Sequence, residues 1–185
     1  MSYSCYLLLN RREMTSLTSL TSLTSLTSLT SLTSLTSLTS LSCPGIGTFP
    51  AFPGQKESRN NPEKTNVPDI GPIVRDRYFI VERPSGGRLG PFRERLLKDI
   101  YGTDRSTWFG LFRDDGKIDD YTFVQGIRRG NFRLHPIGPL GLSEGCITLQ
   151  HPIQFNYMRD MFLKSGPTLN IPGSQLKAYG TVKVY

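Results

Sequence analysis

Residues 135–149, HPIGPLGLSEGCITL, place a histidine and a cysteine on either side of a short glycine-rich turn. A cysteine nucleophile needs a base that takes its proton and backbone N–H groups that hold an oxyanion. Cys146 is the candidate nucleophile and His135 the candidate base. Gly145 allows the N–H groups beside Cys146 to converge, and Ser143 is placed to line the pocket or to hydrogen-bond the loop. The stretch therefore predicts a thiol-dependent catalytic site.

The residues that lead into this turn predict a strand. Phe132 and Leu134 alternate with polar side chains and should face the core, so Asn131, Arg133 and His135 share the other face. Arg133 is a candidate clamp for a substrate carboxylate, because a guanidinium binds a carboxylate through two hydrogen bonds. Plainer interpretations stay open: a surface histidine, a surface arginine, a turn serine, and a cysteine that acts as a small buried apolar residue.

Two other classes of enzyme, serine hydrolases and papain-like peptidases, use similar residues. The order of those residues along this chain argues against both classes. Residues 141–145 match the G-x-S-x-G turn of serine hydrolases, which requires a later histidine and a parallel sheet covered by helices. Only His151 follows Ser143, directly before a segment that predicts a helix. Papain-like peptidases place the cysteine before the histidine. Here His135 precedes Cys146, which argues against that class.

The sequence predicts no metal site. His135, His151 and Cys146 lack the spacing of zinc ligands and have no fourth partner. The four aspartates of residues 114–120 surround a turn, and no calcium-binding loop can be drawn through them. Neither a metal nor another cofactor is therefore expected.

The first quarter of the chain consists largely of a low-complexity repeat. Residues 15–41 are nine uninterrupted copies of Thr-Ser-Leu. A period of three matches neither a helical stripe nor a strand alternation, so the leucines cannot all lie on one face. Serine and threonine also disfavour helix interiors. We therefore predict that residues 1–43 form a disordered low-complexity tail and that residues 44–185 form one domain.

The predicted domain combines several short strands with one or two short helices. Strands are predicted at residues 45–54, 77–83, 108–112, 118–124, 131–135 and 176–185. The first of these is punctuated by glycine and proline and is expected to be irregular or at an edge. The third and fourth are expected to form a hairpin around an Asp-Gly turn. Helices are predicted at 92–100 and 153–164. Because the predicted strands and helices do not alternate in a βαβ pattern, the predicted fold class is mostly β, or α+β.

Net charge and composition favour some classes of binding partner and disfavour others. The chain carries a formal net charge of +7, which suits an anionic partner such as nucleic acid, membrane or cell wall. No dense Lys/Arg run and no recognition helix is present, so nucleic-acid binding is disfavoured. The repeat is two-thirds serine and threonine and is too polar for a comfortable transmembrane helix. Three cysteines leave at least one thiol without an intrachain partner.

The motif H-x-x-G-x-x-G-x-S-x-G-C-h-T-L of residues 135–149 resembles the L,D-transpeptidases. It is more similar to the L,D-transpeptidase-like effectors of bacterial type VI secretion systems, in which the motif is shortened in the same manner. Further similarity is carried by residues 59–62 (RNNP), 71–73 (GPI), 83–90 (RPSGGRLG), 114–120 (DDGKIDD) and 176–180 (LKAYG). The resemblance covers nearly all of residues 44–185 and excludes the repeat.

This resemblance implies a mostly β catalytic domain that acts on peptidoglycan stem peptides. Such enzymes cleave or exchange the terminal D-Ala that follows meso-diaminopimelate. Carried over to this chain, Cys146 is the nucleophile, His135 its base, and Ser143 and Gly145 shape the pocket. Glu144 stands where ordinary L,D-transpeptidases have histidine, and together with the Arg133 clamp it is expected to contact the substrate.

The expected function is therefore that of a cysteine L,D-carboxypeptidase or L,D-transpeptidase, an antibacterial effector with a cognate immunity protein and type VI secretion components as partners. A non-catalytic peptidoglycan-binding module is the alternative, and an inert domain is a third reading. Apolar residues 3–9 precede the basic pair Arg11-Arg12, the reverse of a signal peptide. We expect a protein made in the cytoplasm and secreted by a dedicated apparatus, which acts in the periplasm of target bacteria without stable membrane insertion.

Overall fold

A closed barrel of eight strands is the main feature of the computed structural model, which describes residues 2–9, 39–83 and 104–185. The described strands are β1 (Tyr3–Leu7), β2 (Thr39–Cys43), β3 (Gly47–Pro53), β4 (Arg77–Glu82), β5 (Phe109–Arg113), β6 (Tyr121–Val124), β7 (Ile127–Gly130), β8 (Arg133–Pro136), β9 (Ile147–Leu149), β10 (Leu169–Asn170), β11 (Lys177–Ala178) and β12 (Gly180–Val184). One α-helix, α1 (Pro152–Ser165), lies within the same ranges. The predicted mostly β fold is confirmed.

Around the barrel the strands follow the order β1-β12-β4-β5-β8-β9-β3-β2. Two neighbouring pairs are parallel, β1 with β12 and β8 with β9. The remaining barrel neighbours are antiparallel. Strands β6 and β7 form a separate hairpin, and β10 and β11 form a second small sheet. Closure pairs both sides of each barrel strand and so leaves no free edge.

The barrel core explains why these sequences form strands. Alternate residues of β4 face opposite sides: Tyr78 and Ile80 belong to the main core, whereas Phe79 and Val81 pack beneath β10 and β11. Both faces of this strand are therefore buried, which fits its continuous apolar run. The main core is completed by fully buried side chains of neighbouring strands, among them Leu7, Leu41, Leu111, Leu134, Ile147 and Val182.

Helix α1 follows β9 directly and closes one side of the core. Its buried residues Phe155, Met158 and Phe162 are spaced three and four positions apart, as one helical face requires. Pro152 occupies the first turn, where no N–H is needed. Gly166 ends the helix at a φ of 68°, and its N–H binds the carbonyls of the last turn. The helix predicted at residues 153–164 is thus confirmed within one residue at each end.

The barrel extends to the amino-terminal side of the predicted domain boundary at residue 43. Strand β1 pairs with β12 and with β2, and both β1 and β2 contribute to the main core. A disulfide joins Cys5 to Cys43. The division between a tail 1–43 and a domain 44–185 is therefore wrong at both ends of the tail. The remainder of that tail, residues 10–38, lies outside the described residues.

Two other predictions differ from the structure. Strand β3 is not at an edge, because it pairs with β2 on one side and β9 on the other. The strands predicted at 108–112 and 118–124 exist as β5 and β6, but they do not form a hairpin. Strand β5 pairs with β4 and β8, while β6 pairs with β7 across the turn at Gln125 and Gly126. The helix predicted at 92–100 lies outside the described residues.

Reduction of the Cys5–Cys43 disulfide should destabilise the barrel. The bond closes a loop of 38 residues, for which loop-closure entropy gives about 4 kcal/mol of stabilisation. We expect a reductant to lower the urea midpoint of the oxidised protein, and a Cys5→Ser variant to show the lower midpoint with or without reductant. The matched control is Cys146→Ala, which keeps the disulfide and should respond to reductant like the parent. Equal midpoints for oxidised and reduced protein would contradict the expectation.

Candidate active site

Cys146 lies at the floor of a groove of about 660 Å³ that also contains His135. It immediately precedes β9, so its backbone is fixed by the barrel. The side chain is 5% exposed, and its Sγ is 3.7 Å from the carbonyl oxygen of Asn131. Asn131 has a φ of 56°, a left-handed conformation that asparagine tolerates. The thiol is therefore buried beneath the groove surface and still forms part of its lining.

The turn before the cysteine is built as the sequence predicts. Gly145 has a φ of 82°, and a Cβ at this position would lie 2.8 Å from Nη2 of Arg129 and 3.2 Å from the ring of Phe132. Ser143 is buried, and its hydroxyl donates a hydrogen bond of 2.9 Å to the carbonyl of Cys146. Glycine is thus required on both conformational and steric grounds. The hydrogen bond from Ser143 stabilises the conformation of the loop.

A buried arginine supports this turn from below. Arg129, on β7, is 4% exposed. Its guanidinium donates to the backbone carbonyls of Thr65, Gly71 (2.9 Å) and Pro72 (3.4 Å). These bonds tie the 65–72 segment to β7, whose Arg129 lies against Gly145. Burial lowers the pKa of Arg129, and the charge of an ionised Cys146 would raise it.

His135, on β8, is held by three contacts. Nδ1 lies 2.8 Å from the carbonyl oxygen of Pro136. A carbonyl can only accept, so Nδ1 carries the proton and Nε2 presents a lone pair. The hydroxyl of Thr148 is 3.2 Å from Nε2, and the ring stacks on Trp108 with centroids 4.2 Å apart. The orienting partner of the histidine is therefore a backbone carbonyl, and the tautomer is the one that a base for a thiol requires.

The strand register places the histidine and the cysteine on one face. Strands β8 and β9 are parallel, and His135 pairs with Thr148. Cys146 precedes Thr148 by two residues and so points to the same side. Both residues line the groove, as predicted. In the described part of the chain, however, the thiol and the imidazole each have another hydrogen-bond partner, the Asn131 carbonyl and the Thr148 hydroxyl.

Burial keeps both groups neutral. It raises the pKa of the Cys146 thiol to about 11, against the opposing effects of the backbone N–H and the charge of Arg133. Burial also lowers the pKa of His135 to about 4. The charges of Arg105 and Arg133 lower it further, and the hydrogen bond to Pro136 opposes them. At neutral pH the site therefore contains a thiol and an uncharged imidazole. The polar face predicted for His135 lines the groove, although the residue itself is only 5% exposed.

The two predicted substrate-binding residues, Arg133 and Glu144, both line the groove. Arg133 forms an ion pair with Asp120, and its Nη1 also donates to the Phe132 carbonyl at 2.8 Å. Its guanidinium is therefore already bound to a carboxylate, which disfavours the proposed clamp. Glu144 is exposed at the rim of the groove. Its carboxylate is therefore accessible from the groove.

Residues 2–9, 39–83 and 104–185 hold no cluster of three or more His, Cys, Asp or Glu side chains arranged to bind a metal ion. Within the same ranges, no helix has the length and apolar character needed to cross a membrane.

Three residues that shape the site were missed by sequence reasoning. Thr148 could have been found, because it lies two positions after Cys146 on a strand and so shares its face. Trp108 was read as the start of a strand, and no local pattern indicates that its ring stacks on His135. Arg129 carried no signal at all, since its partners lie 57 to 64 residues away in sequence.

Comparison with known protein families places this geometry in a defined group. A family model described as the Tlde1 domain matches residues 47–174. The chain belongs to the Tlde1 domain family. This is a type VI secretion effector family, so that part of the predicted resemblance is confirmed. The Tlde1 match includes both His135 and Cys146, whereas the barrel strands β1, β2 and β12 lie outside it. No curated protein and no solved structure matches the chain.

Proposed function

We propose that this protein is a cysteine-dependent peptidoglycan L,D-carboxypeptidase or L,D-transpeptidase that removes or exchanges the terminal D-Ala of stem tetrapeptides. The observation that carries the proposal is the position of Cys146 and His135 in one groove on neighbouring parallel strands. The Tlde1 domain match supports the same assignment.

In the first step, the thiol proton passes to Nε2 of His135 while Sγ attacks the carbonyl carbon that precedes D-Ala. The protonated Nδ1 remains bound to Pro136, so Nε2 is the nitrogen available for transfer. For this transfer Nε2 must exchange its contact with the Thr148 hydroxyl for one with the sulfur. Because the imidazole becomes charged only during the reaction, proton transfer and attack are expected to be coupled.

In the second step, the C–N bond breaks and the leaving amine of D-Ala takes the proton from Nε2. The stem peptide is then held as a thioester on Sγ. Water attacks this thioester in the hydrolytic branch, and the amine of a D-amino acid attacks it in the exchange branch. In either route His135 takes a proton from the incoming nucleophile, the C–S bond breaks, and the proton passes to the leaving sulfur, which restores the thiol and the neutral imidazole.

A non-catalytic peptidoglycan-binding module is the second candidate. The burial of Cys146 and its raised pKa favour this reading, since a reactive cysteine usually has a lowered pKa. Turnover distinguishes the two candidates, because a binding module retains affinity for the wall and releases no product.

The proposed site of action is the periplasm of a target bacterium, reached by type VI secretion and countered by an immunity protein. The Cys5–Cys43 disulfide supports an oxidising compartment. We also propose that the protein does not insert stably into membranes.

The direct test is incubation of the purified chain with tetrapeptide muropeptides. We expect release of free D-Ala and a matching loss of tetrapeptide in favour of tripeptide. Quenched samples should contain a protein adduct whose mass equals that of the tripeptide acyl group on Cys146. Addition of a second D-amino acid should yield the exchanged tetrapeptide if the transpeptidase branch operates. Wall binding without either product would support the binding module instead.

A further inference from the structure

The groove has a basic wall next to His135, formed by Arg105. This residue begins a single 3-10 turn, Arg105–Thr107, whose start is capped by the side chain of Asp104. Its guanidinium carbon is 5.5 Å from the centre of the Trp108 ring, and that ring stacks on His135. The groove lining therefore includes a row of three successive side chains in contact, Arg105, Trp108 and His135.

Arg105 differs from the other arginines around the site in its charge partners. Arg133 is paired with Asp120, and Arg129 is held by backbone carbonyls. Among the described residues, no carboxylate pairs with the guanidinium of Arg105. Its backbone carbonyl accepts a hydrogen bond of 2.9 Å from Nη1 of Arg83, which fixes the turn and leaves the side chain directed along the groove wall. A half-buried cation that pairs with no carboxylate of the described residues is suited to an anionic ligand.

We propose that Arg105 forms the subsite for the terminal carboxylate of the leaving residue, which makes this groove specific for stem peptides that end in a free D-Ala. The proposal rests on the proposed function of the groove. It replaces Arg133, which is occupied by Asp120, as the residue that recognises the substrate carboxylate.

The chemistry of the leaving group supports this position. In D-Ala a single carbon separates the amine nitrogen from the carboxylate. His135 must approach that nitrogen to return a proton, so the carboxylate must lie within a few ångströms of the imidazole. Arg105 is near enough for its charge to lower the pKa of His135. A carboxylate bound to Arg105 would offset that charge and favour protonation of the imidazole when substrate is present.

The experiment measures binding without turnover, in a Cys146→Ala background. Two probes are used, a stem tetrapeptide with a free D-Ala carboxylate and the same peptide with a carboxamide at that end. Trp108 is the only tryptophan of the chain, so its fluorescence reports occupancy beside the proposed subsite. We expect the carboxylate peptide to bind about 10- to 100-fold more tightly than the amide.

Arg105→Met should remove this preference by weakening the carboxylate peptide alone, whereas Arg105→Lys should retain part of it. Lys177→Met is the control, because it removes one exposed charge on β11 outside the groove. Equal affinity of the two peptides, or an unchanged preference in Arg105→Met, overturns the subsite. A preference that depends on Arg105 without D-Ala release by the parent chain would instead contradict the proposed enzymatic activity and leave the subsite standing.

Discussion

Replacement of Cys146 by alanine should abolish release of D-Ala from tetrapeptide muropeptides. Among the described residues that line the groove, Cys146 alone carries a thiol or hydroxyl group, and the nearby Ser143 is buried with its hydroxyl donating to the Cys146 carbonyl. Loss of a nucleophile typically lowers turnover by several orders of magnitude. The same change should eliminate the acyl adduct seen by intact-protein mass spectrometry.

Cys146→Ser separates loss of chemistry from loss of fold. Serine is close to cysteine in size, so the packing around residue 146 should be preserved. When no ionised partner activates it, the uncharged hydroxyl of serine is a far weaker nucleophile than the thiol of cysteine. We expect both variants to keep a cooperative thermal transition and the Cys5–Cys43 disulfide while losing turnover. Undiminished D-Ala release by either variant would exclude a cysteine mechanism and would leave the binding-module candidate or another nucleophile.

Local patterns in the sequence predicted several conformational features around the groove. The turn at residues 141–145 indicated the left-handed glycine at 145, and the alternation at 131–135 placed Phe132 and Leu134 in the core. The same alternation placed His135 on the polar face of its strand, and this residue lines the groove together with Cys146. These features depend on neighbours within a few residues, which explains why they are readable from a single sequence.

The features that sequence reasoning missed depend on contacts between distant segments. Strand β1 precedes the low-complexity repeat and β2 begins with its last Thr-Ser-Leu copy, and their role in the barrel follows from pairing with β12 and β3. The Asp-Gly turn after β5 indicated a local hairpin, but pairing with β4 and β8 was preferred. The burial of His135 was not predicted, because its stacking on Trp108 cannot be read from the sequence of β8. Tertiary pairing therefore overrode local signals at these positions.

His135→Gln should lower D-Ala release by about 10²- to 10⁴-fold, the range expected for loss of a general base and acid. Glutamine retains polar groups of similar reach and can still contact the Thr148 hydroxyl. Thr148→Val and Thr148→Ser form a matched pair that tests the contact to Nε2. We expect valine to lower turnover by about tenfold, the value of one hydrogen bond, and serine to retain most of the activity.

The pH dependence distinguishes a base from a residue that only supports the fold. In the parent protein the reactive form has a neutral His135 and a protonated Cys146, so kcat/KM should be flat between the two pKa values of about 4 and about 11. It should fall below the lower value, where the imidazole takes a proton before substrate arrives. Without the imidazole, only spontaneous ionisation of the thiol supplies a nucleophile. The activity of His135→Gln should therefore rise about tenfold per pH unit up to the pKa of Cys146. A variant that keeps the flat profile at reduced rate would show that His135 does not take the proton of the thiol.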